Sequence, residues 1–232
     1  MAAMAKPLFS TNILSLSHLL ILVVISFSGH VAAQEFPLDG VRDTRNSFVR
    51  AGQSYYIYSA YNRYPVIFTA VGPEPCPIYV AINTAGRAAF PVRFFSVNGR
   101  ETFIRLNVSV TIEFTWTFPC FNSTVWQVAP NNHKGDEQQL ITLGGTQGKP
   151  GCNNIRSYFK IEWAPGDVYR ISYDPDDVCD IPVQSYSVGP GTVYANGAQP
   201  LALVDAAPML SELEDNPKNG MLHTVAKDFL YG

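Results

Sequence analysis

Four cysteines are the residues of this chain best suited to covalent chemistry: Cys76, Cys120, Cys152 and Cys179. All of them lie downstream of an apolar N-terminal segment with the features of a secretory leader. An even number of cysteines behind such a leader is typical of a disulfide framework in an oxidising compartment. We therefore expect two disulfides, with free thiols at the last two cysteines as the alternative.

The other groups that could do chemistry are two histidines and one acidic run. Beyond the leader the chain has only His133 and His223, and neither accompanies a Ser or Cys motif of a nucleophilic enzyme. The run at 174–177, DPDD, lacks the alternating ligands and the glycine of a calcium loop, so we interpret it as a charged turn beside Cys179. The sequence predicts no catalytic residue, no metal site and no cofactor, and we expect a protein that is not an enzyme.

Two sequons offer sites for N-glycosylation, Asn107-Val108-Ser109 and Asn122-Ser123-Thr124. Asn107 precedes a predicted strand, whereas Asn122 lies in a predicted turn just after Cys120. In a secreted chain both side chains are acceptors for a glycan. We predict modification at Asn107 and Asn122.

Residues 1–33 have the layout of a signal peptide. Lys6 supplies the positive charge, an apolar stretch runs over 13–27, and Val31-Ala32-Ala33 gives small residues ahead of Gln34. The apolar stretch is shorter than the roughly 20 residues of a membrane span, and polar residues interrupt it. We expect cleavage after Ala33 and a mature chain with no membrane segment.

The mature chain is mildly acidic. Removal of the leader takes away Lys6, so 15 Lys and Arg residues remain against 19 Asp and Glu residues, a net charge of −4. The basic residues form no run or stripe, which argues against a nucleic-acid partner. About 200 residues suit one domain of the sandwich or barrel kind.

Most of the mature chain has the pattern of short β-strands. The clearest alternation runs over 108–116, where one face of the strand would carry Val108, Val110, Ile112, Phe114 and Trp116. Phe159, Ile161 and Trp163 alternate in the same way with Lys160 and Glu162. Other runs rich in β-branched and aromatic residues are predicted strands: 54–58, 65–71, 77–82, 91–95, 124–128, 139–143, 169–173 and 201–204. Turn pairs such as Asn98-Gly99 and Pro190-Gly191 separate them, so we predict an all-β barrel or sandwich.

Nine segments carry a further signal because of their order along the chain: 36–39, 50–57, 76–80, 90–94, 110–114, 123–128, 158–162, 169–172 and 200–203. Together they resemble the plant Kunitz-type (soybean trypsin inhibitor, miraculin-like) family of protease inhibitors. The resemblance implies a β-trefoil, in which a six-stranded barrel is capped by hairpins with pseudo-threefold symmetry. It also implies a secreted or vacuolar plant defence protein whose domain covers 34–213, with 209–213 as the closing strand and 214–232 as a flexible extension.

The resemblance also bears on the cysteines. Cys76 and Cys120 lie where the first disulfide of the family falls, and Cys179 matches one end of the second. The usual partner of Cys179 would follow the strand near Ser172, where this chain has no cysteine. We predict the pairs Cys76–Cys120 and Cys152–Cys179, the second as a departure from the family pattern.

The resemblance further implies that an exposed loop binds a serine endopeptidase as a substrate does. The corresponding segment is 95–104, in which Arg100 is the only basic residue, so Arg100-Glu101 is the candidate reactive bond. An Arg before that bond would pair with the carboxylate in the specificity pocket of a trypsin-like enzyme. We expect a monomer that inhibits such an enzyme.

Features of the same loop favour a non-inhibitory trefoil, a storage, defence or pigment-binding protein. The Asn-Gly pair at 98–99 is typical of a tight hairpin turn, beside which Arg100 and Glu101 would be solvated charges. Ala51 stands where the resemblance implies an asparagine that supports the loop. Asn46, in a segment at 40–46 that resembles an insertion, could take its place.

Overall fold

Strands dominate the part of the chain that the structure, a computed structural model, describes. That part is 39–215, with gaps at 61, 72–74, 87, 131–137, 167, 195–196 and 206–209 and without the side chains of 210–215. The predicted signal peptide, His133, His223 and the predicted extension, whose residues beyond 215 are not described, lie outside the described residues.

Twelve strands and one short turn of 3-10 helix, Ile155–Ser157, make up the regular structure of the described residues. The strands are β1 Ser54–Ser59, β2 Val66–Thr69, β3 Tyr79–Ile82, β4 Val92–Ser96, β5 Val110–Phe114, β6 Trp126–Val128, β7 Ile141–Leu143, β8 Lys160–Ala164, β9 Val168–Tyr173, β10 Tyr186–Pro190, β11 Gln199–Val204 and β12 Leu210–Asp215. The predicted all-β class is confirmed. Within the same residues, no helix has the length and hydropathy needed to cross a membrane.

Six of the strands close into a barrel. β1 pairs with β4 and β12, β4 with β5, and β9 with β8 and β12, all antiparallel. The ring is completed where Val110 of β5 faces Phe159, just ahead of β8, with reciprocal N···O distances of 2.7 and 2.9 Å. The closed ring leaves none of these strands with a free edge.

The other six strands form three hairpins, β2–β3, β6–β7 and β10–β11, that cap the barrel. Each hairpin joins the barrel strand before it in the same way, through the pairs Tyr58↔Pro65, Glu113↔Val125 and Tyr173↔Tyr186. Within the cap, β3 pairs with both β7 and β11. The units β1–β4, β5–β8 and β9–β12 therefore repeat one arrangement, and the fold is the predicted β-trefoil.

Aromatic rings join the cap to the barrel. Trp126 of β6 is fully buried, and its ring lies 5.6 Å from Phe114 and 6.4 Å from Phe159. Phe68 of β2 reaches Phe114 edge-on at 5.1 Å. Tilted and edge-on contacts of this kind add to the free energy gained by burying the rings themselves.

Two local predictions are wrong, and one strand was missed. β5 ends at Phe114, so Trp116 lies beyond the strand, 54 % exposed, and its ring stacks on Phe90. Trp163 is equally exposed near the end of β8, with its ring 4.7 Å from that of Tyr169 on the paired strand. β10 was not predicted, because its Gly189 and Pro190 are typical of turns.

Both predicted disulfides are present, Cys76–Cys120 and Cys152–Cys179, with Cα atoms 5.8 and 5.0 Å apart. The first joins residues 44 positions apart in the chain and the second joins residues 27 positions apart. Closing loops of this length stabilises a fold by about 3 to 4 kcal/mol each, chiefly by restricting the unfolded chain.

The acidic run at 174–177 anchors the chain between β9 and Cys179. Lys160 is 6 % exposed, and its Nζ forms ion pairs with Asp174 and Asp176. Burial, the largest influence, disfavours the charge of Lys160, but the hydrogen bond to Asp176 and the fields of the three nearby carboxylates outweigh it and raise the lysine pKa. The bond to Lys160 in turn lowers the pKa of Asp176.

This ion pair should stabilise the protein only within a pH window. Because its pKa is raised, Lys160 contributes its full stabilisation to the folded state at pH values below its ordinary pKa of 10.5. This stabilisation is lost as pH rises through the pKa that Lys160 has in the folded state. Because its pKa is lowered, Asp176 contributes its stabilisation to the folded state at pH values above its ordinary pKa of 3.8. This stabilisation is lost as pH falls through the pKa that Asp176 has in the folded state.

We expect Asp176→Asn to lower the free energy of unfolding by at most about 1 kcal/mol near neutral pH, because solvent screens the exposed carboxylate. The difference from the wild type should shrink as pH falls through the lowered folded-state pKa of Asp176, because the wild-type carboxylate then becomes neutral like the amide. Urea unfolding across pH measures it, with Asp180→Asn as a control for removing an exposed acid from the same segment. A difference that persists in acid would contradict the assignment.

Candidate functional site

The segment 95–104 links the first four-strand unit to the second. Phe95 and Ser96 still belong to β4 and pair with Thr111 and Val110 of β5. The N–H of Val97 donates to the carbonyl of Ser109 at 2.8 Å. Beyond that bond the chain leaves the barrel, and 98–100 are exposed.

The tip of this loop is a hydrogen-bonded turn. The N–H of Glu101 donates to the carbonyl of Asn98 at 2.9 Å, which places Gly99 and Arg100 at the two central positions. Neither central residue has a positive φ, so the turn is not the primed type that an Asn-Gly pair favours at the centre. Asn98 instead holds the first position, where asparagine is common in type I turns.

The Glu101 carboxylate lies inside the loop and is not the solvated charge that the alternative interpretation required. Ser96 Oγ donates to Glu101 Oε2 at 2.7 Å, and Asn98 Nδ2 donates to Oε1 at 3.3 Å. The Asn98 N–H completes the cluster by donating to Ser96 Oγ at 3.2 Å. Arg105 Nη1 also approaches Glu101 Oε1, at 3.6 Å.

The chain after the turn is attached to the segment that precedes β1. The N–H of Ala51 donates to the carbonyl of Thr102 at 3.0 Å, and the N–H of Ile104 donates to the carbonyl of Val49 at 2.8 Å. Phe103 and Ile104 are buried. Ala51 therefore supports the loop through its backbone.

Arg105 strengthens this attachment by binding Asp39. Its Nε and Nη2 donate to the Asp39 carboxylate at 3.1 and 2.8 Å. The hydrogen bond from Arg105 holds the pKa of Asp39 below its ordinary value, and the same bond raises the pKa of Arg105. A forked pair of this kind fixes geometry more firmly than a single-point ion pair.

Asn46 does not take the place of the missing asparagine. Its N–H donates to the carbonyl of Asp43 at 2.8 Å, and its own carbonyl accepts a bond from the Arg42 guanidinium at 2.9 Å. The Asp43 carboxylate accepts the N–H groups of Arg45 and Ser47, which closes the turn. The hydrogen bonds that the structure gives Asn46 thus stay within the hairpin at 40–50.

The chain before the turn is supported from β9 and the second disulfide. Asp177, two residues ahead of Cys179, accepts the Ser109 N–H at 2.9 Å and also the Ser109 hydroxyl. Ser109 is fully buried and is the residue whose carbonyl receives the Val97 N–H. Both flanks of 98–100 are therefore fixed to the barrel.

Comparison with known proteins identifies the family. Residues 41–212 match the legume Kunitz family model, which is described as trypsin and protease inhibitor. The chain belongs to this Kunitz family. Protease inhibitors, which this description names, are not themselves enzymes.

Individual Kunitz relatives cover most of the chain. Miraculin of Synsepalum dulcificum is 29 % identical over 211 residues, 84 % of this chain and 92 % of miraculin. Kunitz type trypsin inhibitor 104 of Medicago truncatula is 29 % identical over 181 residues, 75 % of this chain and 87 % of the relative. The Kunitz-type cysteine protease inhibitor PCPI-3 from potato superposes with a TM-score of 0.64 at 27 % identity, over 78 % of this chain and 98 % of that one.

The acceptor asparagines of both sequons in this Kunitz chain lie on its surface. Asn107 is exposed, has a left-handed φ of 58°, and donates its N–H to the carbonyl of Ile161 at 2.9 Å. Asn122 is also exposed, next to Phe121. Because the folded protein buries Ser109, a glycan at Asn107 would have to be added before folding, and both glycans stay predictions.

Sequence reasoning proposed Arg100 and the bond after it as the candidate reactive site, which stays a prediction, and it missed the groups that hold the loop. The cluster of Ser96, Asn98 and Glu101 has a weak signal in the sequence, since short polar residues beside a turn are common in any loop. The contact between Asp177 and Ser109 has none, because 68 positions separate the two residues.

Removing the Asp177 carboxylate should destabilise this Kunitz domain. Asp177→Ala leaves the buried N–H and hydroxyl of Ser109 without their partner, and we expect the free energy of unfolding to fall by about 1 to 3 kcal/mol. Asp180→Ala, an exposed acid three residues away, should change it by less than about 0.5 kcal/mol. Urea unfolding at neutral pH measures both, and equal values for the two variants would contradict the role of Asp177.

Proposed function

We propose that this Kunitz protein inhibits a serine endopeptidase of trypsin-like specificity by placing Arg100 in the specificity pocket of the enzyme. The observation that carries the proposal is an exposed arginine at the tip of a loop whose two flanks are fixed to the barrel. Family membership supports inhibition in general, and the arginine supports this specificity. A guanidinium fits the carboxylate of such a pocket through charge-assisted hydrogen bonds.

Fixed flanks favour tight binding. A loop that is ordered before it meets the enzyme loses little conformational entropy on binding. Here 98–100 are the residues free to adjust, while 97 and 102 are already bonded to Ser109 and Ala51. An interface of ordinary size can then reach high affinity.

The turn at 98–101 has to open when an enzyme binds, because proteases bind the residues around the reactive bond in an extended conformation. Opening it breaks the hydrogen bond between the Glu101 N–H and the Asn98 carbonyl, which costs about 1 kcal/mol. A nanomolar complex corresponds to a binding free energy of about −12 kcal/mol. The turn therefore weakens binding to a protease without preventing it.

Titration of trypsin with the secreted chain tests the proposal. We expect stoichiometric inhibition by the wild type, retention in Arg100→Lys, and a loss of affinity of at least about 100-fold in Arg100→Ala. Arg45→Ala is the control, since Arg45 is an exposed arginine at the tip of a different hairpin. Inhibition that survives Arg100→Ala would move the site elsewhere.

A non-inhibitory role is the second candidate, and the closed turn at 98–101 is the observation that favours it. A wild type that leaves trypsin, chymotrypsin and papain-type proteases unaffected in the same titration would support a storage, defence or ligand-binding trefoil. The secretory leader that both functions require stays a prediction, because 1–33 lie outside the described residues.

A further inference from the structure

We propose that Asn98 is a site of spontaneous deamidation, at which the chain converts its own Asn98-Gly99 pair into an isoaspartyl or aspartyl linkage and so changes the backbone of the loop with time. The reaction needs only the folded chain and water. Its effect on inhibition rests on the proposed function, whereas the modification itself does not.

The chemistry is an attack of the backbone on a neighbouring side chain, and asparagine is among the chemically labile residues of proteins. The Gly99 nitrogen attacks Cγ of Asn98, a C–N bond forms, and the side-chain nitrogen takes up the proton that Gly99 loses and leaves as ammonia. Water then opens the five-membered succinimide ring by breaking one of its two C–N bonds. Breaking the bond at Cγ gives aspartate. Breaking the bond at the former backbone carbonyl gives isoaspartate, in which the main chain runs through Cγ.

Gly99 presents its nitrogen without obstruction. Residues 98–100 are exposed, and a Cβ added at Gly99 would meet nothing within 4 Å. Glycine has no side chain to shield its nitrogen, and its backbone turns more freely than that of other residues. Within the described part of the chain, the structure gives the Gly99 N–H no hydrogen-bond acceptor. Its proton is therefore open to water.

The bonds that Asn98 makes leave this nitrogen alone. Asn98 Nδ2 donates to Glu101 Oε1 at 3.3 Å, which is long for a hydrogen bond of this kind. The Asn98 N–H donates to Ser96 Oγ at 3.2 Å, and its carbonyl accepts the Glu101 N–H at 2.9 Å. The side-chain amide is thus held by one weak contact, and the attacking nitrogen by none of them.

A second Asn-Gly pair of the chain shows the opposite arrangement. Gly197, which follows Asn196, donates its N–H to the carbonyl of Tyr194 at 2.8 Å. Its proton is held in a hydrogen bond that has to break before the nitrogen can attack. A third pair, at 219–220, lies outside the described residues. Between the two pairs that can be compared, the structure favours reaction at Asn98.

Isoaspartate at position 98 displaces Arg100 from the place that the loop gives it. One more carbon enters the main chain between Val97, whose N–H is fixed to the carbonyl of Ser109, and Arg100. A partner that binds an extended segment pairs with its backbone groups in register, and the added carbon shifts that register. Under the proposed function, modification of Asn98 therefore lowers the affinity for the protease.

Peptide mapping of aged protein tests the proposal. The secreted wild type and Gly99→Ala are kept folded at neutral pH, and samples taken over time are reduced, unfolded and digested with trypsin. The three Asn-Gly pairs fall in separate peptides, 94–100, 171–218 and 219–227, so mass spectrometry follows each pair by itself. A synthetic isoaspartyl peptide identifies the linkage, and reduced wild type kept in denaturant is the reference for the unfolded chain.

We expect Asn98 of the folded wild type to deamidate at least about 5-fold faster than Asn196, the factor that one hydrogen bond on the attacking nitrogen of the slower pair gives. In denaturant the two should react at similar rates. Gly99→Ala should slow the reaction at Asn98 at least about 10-fold, because its Cβ crowds the attacking nitrogen. The open space at Gly99 lets the variant fold as the wild type does, which urea unfolding checks.

Two results would overturn the proposal. One is an Asn98 that stays unmodified in the folded wild type while it reacts in denaturant. The other is an equal rate at Asn98 and Asn196 in the folded wild type, a comparison within one chain that needs no variant.

Trypsin titration of the same samples separates this inference from the proposed function. Inhibition by the wild type should fall in step with the fraction modified at Asn98, while Gly99→Ala keeps the level with which it starts. Modification that leaves inhibition unchanged would overturn the effect on the loop. A wild type that is modified at Asn98 but inhibits no protease at any age would overturn the proposed function and keep the modification site.

Discussion

The hydrogen bonds of 107–110 hold both the barrel and the loop in place. Val110 and Phe159 exchange two backbone bonds and so close the ring between β5 and β8. One position earlier along the chain, the Ser109 carbonyl accepts the Val97 N–H, and the Ser109 N–H and hydroxyl donate to Asp177. A change that loosens this short segment would therefore act on the fold and on the loop together.

Under the proposed function, the residues that recognise a protease differ from those that stabilise the fold. Arg100 is exposed and Gly99 has open space around it, whereas Phe103 and Ile104, which anchor the next turn of chain, are buried. Under the proposed function, a new residue at position 100 would change the partner and leave the core intact, which is the general way in which one fold serves several targets.

The sequence predicted the fold well because its main signals are local. Alternation placed β5 and β8, and turn residues separated most of the other strands. The pairing of the cysteines needed the family resemblance, since four cysteines allow three connectivities. Lys160 shows why contacts between distant parts of the chain were missed. Its place in the alternation suggested a solvated side chain. It is buried because three carboxylates from a distant turn compensate its charge.

Cys152, the partner of Cys179 that departs from the family pattern, lies where its disulfide can support the contact between Asp177 and Ser109. Cys152 precedes the 3-10 turn at Ile155–Ser157 that leads into β8, so the disulfide ties the entry of β8 to the end of the acidic run after β9. Asp177 lies in that run and carries the bond to Ser109. The disulfide thus shortens the free chain around Asp177, which lowers the entropy lost when its carboxylate meets Ser109. A cysteine position that departs from the family pattern would in this way support the base of the loop.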